Sequence, residues 1–519
     1  SQDDNREAYG NRVTNNKFLN VSGSGLALTS NVNNTFVGNN LFEGRGDTRT
    51  SDFGILIVMY NGNNNDPYLF APSDTTIVNN TISNFSYGIG GDYWNYGNWG
   101  HNNLFESNYI ENTNAGIFIW SLYDDTIIKD NTIHSTHYNN DTAVGWAGIY
   151  IKSESSYWAR NTTVSNNTIH SERGPGILSD NNQNITITKN IVTVVVPKQW
   201  LGNGIMVRES IEVNVTHNKI STNLSSLSTD AGIFIYGGSD ILISNNDIEG
   251  AIGIEASNVG FSSGTMTDIA NNTIRASNYG VISNRTDSNI VNNTIVGLCA
   301  DSSCKLLNFD KVSRYGIFTQ ESVLNTEKNN ITYFYESFAG FLSEFNITDT
   351  YIAHTQIGVK GNNSEIELYN STITNSFYSS VFLYKSDYES IANNFTNFDK
   401  GIYSLNSTLS VNNDDFTDGD ICLDLIDSEY NFGSNLFDCR INNLIVRYNV
   451  QVKIADESDQ GFEDYQFDIY NSKNDKVIDK FTGSSGYSDY YLLDVYRLNS
   501  EGLEVNYNPF SLIYFNRNI

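Results

Sequence analysis

Two recurring phrases and an almost complete lack of helix-like stretches predict an all-β chain. The expected architecture is a right-handed single-stranded parallel β-helix over residues 1–445, closed by a small β-sandwich over 446–519. The first phrase is a Gly followed by alternating apolar residues. It runs from Gly25-Leu26 through Gly116-Ile117, Gly148-Ile149, Gly176-Ile177, Gly204-Ile205 and Gly232-Ile233 to Gly401-Ile402, and the steps from Gly116 to Gly232 are 32, 28, 28 and 28 residues. The second phrase is Asn-Asn-Thr-Ile, at Asn79 to Ile82, Asn166 to Ile169, Asn271 to Ile274 and Asn292 to Ile295, with looser copies between.

Each phrase has a physical reading. Alternation over four to six residues makes short strands with one face inward. One coil holds too little apolar surface to stand alone, so coils stack. Gly is expected to permit a tight corner before its strand. Asn tolerates left-handed backbone angles, and its amide can bond the identical amide one coil away. A column of Ile117, Ile149, Ile177, Ile205 and Ile233 is expected to point inward.

The surface follows from composition. The formal charge is −29, from 59 acidic and 30 basic side chains. Such a surface repels nucleic acid and anionic membranes, so neither is expected as a partner. No run of 18 apolar residues exists, so no membrane span is expected. Asn is by far the main polar residue, 75 of 519, which makes the surface one of amides more than ions and suits an extracellular or cell-surface location.

Four Cys, at 299, 304, 422 and 439, allow three pairings in an oxidising compartment; Cys299–Cys304 and Cys422–Cys439 are the simplest. Nineteen N-x-[ST] acceptors stand at Asn20, Asn33, Asn79, Asn84, Asn140, Asn161, Asn166, Asn184, Asn214, Asn223, Asn271, Asn284, Asn292, Asn330, Asn346, Asn362, Asn370, Asn394 and Asn406. In a secreted chain about half are expected to carry glycan. Several lie inside the second phrase, where the Asn is also a candidate for the inward ladder.

Three further clusters point to chemistry. Asp414, Asp415, Asp418 and Asp420, with Asp424 just beyond, crowd one coil with hard oxygen ligands suited to calcium; a solvated acidic corner explains them slightly better. His134 and His170 follow Thr-Ile in consecutive coils, close enough to share a metal, with His137 nearby. All six Trp precede residue 201, and the stretch Gly91 to His101 carries Trp94, Tyr96 and Trp99 as candidate sugar or protein contacts.

The stretches Asn184 to Val192 and Ile241 to Ser257 resemble the repeat of the pectin-lyase-like and NosD-like parallel β-helix proteins. The likeness implies the fold over about residues 8–445 and says little of function. Polygalacturonase-type relatives carry paired Asp residues and Gly-His-Gly. Asp414-Asp415 echoes the first, and the second is missing. The segment from Val446 resembles the small Ig-like sandwiches of surface proteins.

The favoured reading is an extracellular structural glycoprotein, a subunit of a cell-surface filament or layer that adheres or self-assembles. Its expected partners are further copies, joined through the C-terminal module, and glycans. The apolar tail from Phe510 to Phe515 is expected to pair with a neighbour's strand edge. The alternatives are a secreted polysaccharide lyase or glycoside hydrolase, and a carbohydrate-binding protein.

Overall fold

The computed structural model describes residues 8–29, 32–46, 52–59, 72–93, 100–120, 123–135, 147–153, 159–172, 174–195, 202–224, 230–260, 265–298, 313–455, 458–461, 463–501, 503–508 and 510–514. The chain is all-β and divides into two compact units, 1–324 and 325–519. Among the described residues no helix is long and apolar enough to cross a membrane.

In the first unit each coil contributes three short strands, one to each face of the solenoid. One coil runs through Arg160–Ser165, Thr168–Ser171 and Ile177–Asp180; the next through Gln183–Thr188, Ile191–Val194 and Ile205–Arg208. Every strand pairs in parallel with its counterpart one coil on. Where the chain between the second and third faces shortens, the two strands fuse into one long strand, as in Asp247–Ser257 and Thr273–Asn284.

The inward column on the third face is the expected one. Ile117, Ile149, Ile177, Ile205 and Ile233 follow one another in register and are fully buried. A second column, including Ile133, Ile169, Val192, Ile220 and Ile248, lines the second face.

The two Asn of the second phrase divide the work. Asn79, Asn166, Asn271 and Asn292 take left-handed angles, with φ of 54°, 55°, 57° and 55°, and none is buried. Their successors build the ladder. Asn16, Asn40, Asn80, Asn108, Asn131, Asn167, Asn190, Asn218, Asn246, Asn272 and Asn293 each donate Nδ2–H to the next one's Oδ1 over 2.9–3.2 Å. The same acceptor oxygen takes the preceding rung's backbone N–H, as at Asn167 and Asn190. The acceptor Asn of each Asn-Asn-Thr is therefore not the ladder residue, contrary to one expectation.

The recurring Gly serves a different purpose from the one expected. Gly116, Gly148, Gly176, Gly204 and Gly232 are not left-handed. A Cβ on any of them would sit 2.2–2.3 Å from the inward methyl of Ile133, Ile169, Val192, Ile220 or Ile248, and 2.5–2.8 Å from the next Gly carbonyl oxygen. Space across the narrow interior selects Gly here, not the angle of the corner.

The second unit uses longer fused strands: Tyr351–Asn362, Thr372–Tyr384, Asn394–Leu405, Asp415–Ile426 and Leu436–Val450, alternating with first-face strands such as Glu365–Tyr369 and Asp387–Ile391. Phe395, Phe416 and Phe437 stack ring on ring, with centroids 4.6 and 5.3 Å apart. Cys422 and Cys439 form a disulfide; Cys299 and Cys304 lie outside the described residues.

Strand Leu436–Val450 runs straight through position 445/446 and pairs antiparallel with Tyr491–Asn499. A three-stranded antiparallel sheet follows, with Gln466–Tyr470 between Lys476–Phe481 and Ser511–Tyr514. Its small core holds Val452, Phe467, Ile469, Ile478 and Leu493. The tail expected to join a neighbour thus pairs within its own chain, because Gln466–Tyr470 offers it a free edge.

Candidate functional site

On the third face of the first unit, residues between the inward isoleucines point outward. Two outward columns result. One runs Phe118, Tyr150, Leu178, Met206, Phe234; the other runs Trp120, Lys152, Asp180, Arg208, Tyr236, one residue per coil. The first column is apolar and, although outward, largely covered: Phe118, Tyr150, Leu178 and Met206 are 6, 2, 6 and 7% exposed. The second is charged, aromatic and partly open, with Tyr236 42% exposed.

The two columns are knitted together. Asp180, nearly buried, accepts from Arg208 Nη2 at 2.5 Å and from the Tyr150 hydroxyl at 3.4 Å. Burial, and then the Asp180 carboxylate, push the Tyr150 phenol well above its usual range, so it stays a donor. Lys152 Nζ lies 4.3 Å from the centre of the Trp120 ring, a cation–π contact. Arg208 keeps its Nε buried with no hydrogen-bond partner among the described residues. In a chain of charge −29, this strip of two cations, one carboxylate and bordering aromatic rings stands out. Its chemistry suits a ligand with ring faces and many hydroxyls.

Sequence reasoning missed Tyr150, Lys152, Asp180, Arg208 and Tyr236, although the signal was present. Trp120, Lys152, Asp180, Arg208 and Tyr236 each stand four residues after the Gly of the first phrase. The expected aromatic contacts Trp94, Tyr96 and Trp99 lie outside the described residues, as do Trp146, Trp158 and Trp200.

The expected calcium ligands do not converge. Asp414 is fully buried at a ladder position. Its Oδ1 accepts from the backbone N–H and Nδ2–H of Asn393, at 2.7 and 3.1 Å, and its Oδ2 accepts the Ser390 hydroxyl. Burial raises its pKa to about 6. Asp415 and Asp418 are exposed, and Asp420 is paired with Arg440 at 2.9 Å. The cause is the repeat: Asn413-Asp414-Asp415-Phe416 is a copy of the second phrase, which sends its second residue inward and its third outward. His134 and His170 do neighbour each other, with ring centroids 6.0 Å apart. Among the described residues, no group of three or more His, Cys, Asp or Glu is placed to share a metal ion.

Of the nineteen glycan acceptors, Asn140 lies outside the described residues and none of the other eighteen is buried.

The second unit carries its own polar cluster. Asp424, fully buried, meets Lys400 Nζ at 2.8 Å and Arg447 Nη1 at 3.1 Å, and Arg447 Nε reaches Asp494 at 2.9 Å. Lys400 also lies 3.8 Å from the Tyr403 ring centre. These pairs clamp the strand Leu436–Val450 to Tyr491–Asn499. Beside them, Asp399 faces Asp420; burial and then the neighbouring carboxylate raise the Asp399 pKa.

Residues 147–307 match the family model described as right handed beta helix region. The sequence matches no curated protein. Among solved structures, the chain is similar to the Dettilon tailspike protein at 13% identity, over 68% of this chain and 59% of that one, with a TM-score of 0.38. It is also similar to the A-module of the Azotobacter vinelandii mannuronan C-5 epimerase AlgE6, at 13% identity over 81% and 91% of the two chains, TM-score 0.30. PfbA, a surface adhesin of Streptococcus pneumoniae, is similar at 10% identity over 80% and 90%, TM-score 0.32. The chain thus spans less than two thirds of the tailspike's length. Its fold is the right-handed parallel β-helix, the fold of the family whose model matches residues 147–307.

Proposed function

We propose that the chain works outside the cell as a rigid adhesive β-helix that recognises polysaccharide on the third-face flank of its first unit. The observation that carries this reading is the column Trp120, Lys152, Asp180, Arg208, Tyr236, exposed at Tyr236, half-buried at Trp120, Lys152 and Arg208 and closed over Asp180, beside covered aromatic and apolar residues. Exposed rings stack on sugar faces, and the fixed Asp180–Arg208 pair offers an acceptor and donors for hydroxyls. Neighbouring folds include a tailspike and an adhesin, and the eighteen acceptor Asn left unburied suit a glycoprotein. A glycan array probed with the parent and with Trp120→Ala and Tyr236→Ala tests it. Specific binding weakened by both variants is expected; binding indifferent to both would sink the reading.

One observation favours a second reading, a polysaccharide-acting enzyme. Asp399 and Asp420 form a carboxyl pair in unlike environments, the second beside Arg440. Release of reducing ends from a bound glycan, abolished by Asp420→Asn, would favour it over adhesion alone.

A further inference from the structure

The small C-terminal sheet has two outer strands, and only one of them is guarded. Gln466–Tyr470 lies in the middle, with Lys476–Phe481 and Ser511–Tyr514 as the edges. An edge strand presents a row of unpaired N–H and C=O groups to any strand that meets it. Charged side chains are a common guard, because a pairing strand would have to bury them. Lys476–Phe481 carries Lys476, Asp479 and Lys480. Glu504–Asn506, the short strand beside Tyr491–Asn499, carries Glu504. Ser511–Tyr514 carries no charge.

The unguarded strand is also apolar on both faces. Its register sets Leu512 opposite Ile469, on the side of the small core, and Ile513 opposite Asp468, on the other side. Both Leu512 and Ile513 are exposed. Among the described residues no strand lies along the outer side of Ser511–Tyr514. One more strand there would shelter both side chains at once.

The lack of charge selects the partner. In an antiparallel pair related by a two-fold axis, a strand meets its own copy, so each residue faces itself or a near neighbour. A charge anywhere in the strand would stand close to its duplicate, and like charges opposite each other are destabilising. Self-pairing therefore requires an uncharged edge. In a chain of net charge −29, this strand is where a second copy approaches with least repulsion. Between Asn406 and residue 519 no further N-x-[ST] acceptor occurs, so no N-linked glycan on the module obstructs it. A two-fold axis normal to the sheet keeps both small cores on one side. Either Leu512 or Ile513 then lies on the axis, and two three-stranded sheets become one of six strands.

We infer that two copies of this chain associate through Ser511–Tyr514, edge to edge and antiparallel, as a dimer. The contact is isologous, so it closes at two copies and builds no filament. It is independent of the polysaccharide reading and adds to it two recognition flanks per particle.

Sedimentation velocity of the full chain over a concentration series tests it. A species of twice the mass of one chain should grow in with concentration, with nothing larger behind it. Ile513→Lys should abolish that species, while Val477→Lys, on the guarded edge, should leave it intact. A chain that stays monomeric throughout overturns the inference. So does a polymer beyond the dimer, or a dimer indifferent to Ile513→Lys. Where Ile513→Lys loses the parent's far-ultraviolet circular dichroism, cross-linking decides instead. Leu512→Cys and Ile513→Cys, oxidised separately, should give a disulfide-linked dimer with whichever residue lies on the axis, and Val477→Cys should give none. No cross-link from either, or an equal one from Val477→Cys, overturns the inference.

Discussion

In the first unit Asn190 accepts the backbone N–H and the Nδ2–H of Asn167, both at 3.0 Å. It donates to the carbonyls of Val164 and Thr188 and to Asn218 Oδ1. In the second unit Ser371, also just ahead of a second-face strand, accepts one backbone N–H from Thr350 at 3.1 Å and donates to Tyr369 O at 2.9 Å. The amide is long enough to stitch three coils at one point; the hydroxyl reaches one. Strand length differs in the same sense. Second-face strands around Asn190 run three or four residues, whereas Thr372–Tyr384 runs thirteen. Long backbone ladders carry more of the register themselves, although the amide column continues into coils with fused strands at Asn246 and Asn272. Short ones leave more of that task to side chains, and an amide carries two donors beside its acceptor where a hydroxyl carries one.

The largest effect should come from the apolar side of the first unit. Ile205 is fully buried between Ile177 and Ile233. Ile205→Asp would place an unpaired charge there and is expected to cost upward of about 4 kcal/mol, or to prevent folding. Urea denaturation decides it; a parent-like midpoint would contradict the register.

Asn190→Ala comes next. It leaves Asn167 Nδ2–H, Asn167 N–H and a buried carbonyl short of partners, at about 1–3 kcal/mol for each group that water cannot reach, while Asn218 Oδ1 keeps the backbone N–H of residue 190. A total near 4 kcal/mol is expected in the same denaturation assay. A loss below about 1 kcal/mol would mean that the amide column only decorates the backbone ladder.

Much of this was legible in the sequence. The spacing of Gly148, Gly176, Gly204 and Gly232 and the Asn-Asn-Thr-Ile phrase carried the coil register, hence the inward isoleucines. The flank was not read, because Trp120, Lys152, Asp180, Arg208 and Tyr236 are distant in sequence and share no residue type. Only alignment on the Gly brings them into one column. Composition misled at Asp414: four nearby carboxylates looked like a cation site, while the repeat assigned the first of them to the interior. The tail from Phe510 carries exposed apolar residues, Leu512 and Ile513 at 49 and 46%, and its strand pairs within its own chain along one side, with Gln466–Tyr470, a pairing that the apolar run alone did not reveal.

Asp414 shows what happens when a ladder position holds the wrong side chain. A carboxylate accepts as well as an amide but donates nothing when ionised. Its folded pKa of about 6 lies above the ordinary 3.8, so between those values the folded state holds more protons than the unfolded state. The contribution of Asp414 to stability is therefore greatest below about pH 4 and falls as pH rises towards 6, by up to about 3 kcal/mol. Asp414→Asn should remove that fall. The variant should match the parent near pH 4 and exceed it at pH 7.5, with the gap opening between. Melting temperatures across this range measure it, and a constant difference at every pH would contradict the account.

The smallest change tests the comparison most directly. Ser371→Ala removes one acceptor for the Thr350 backbone N–H and one donor to Tyr369 O, and leaves the Ser371 backbone N–H on Asn393 Oδ1 at 2.8 Å untouched. The stranded groups are one N–H and one carbonyl that retains a second lone pair, so a loss of about 1 kcal/mol is expected. Because Thr372–Tyr384 is zipped along its length on both sides, the coil has no reason to shift when the hydroxyl goes. Hydrogen exchange sharpens the point. In Ser371→Ala only the Thr350 amide should lose protection, whereas Asn190→Ala should expose amides in the coils on either side. If Ser371→Ala instead loosened its whole coil as Asn190→Ala does, the hydroxyl would be holding the register too, and strand length would not be what separates the two units.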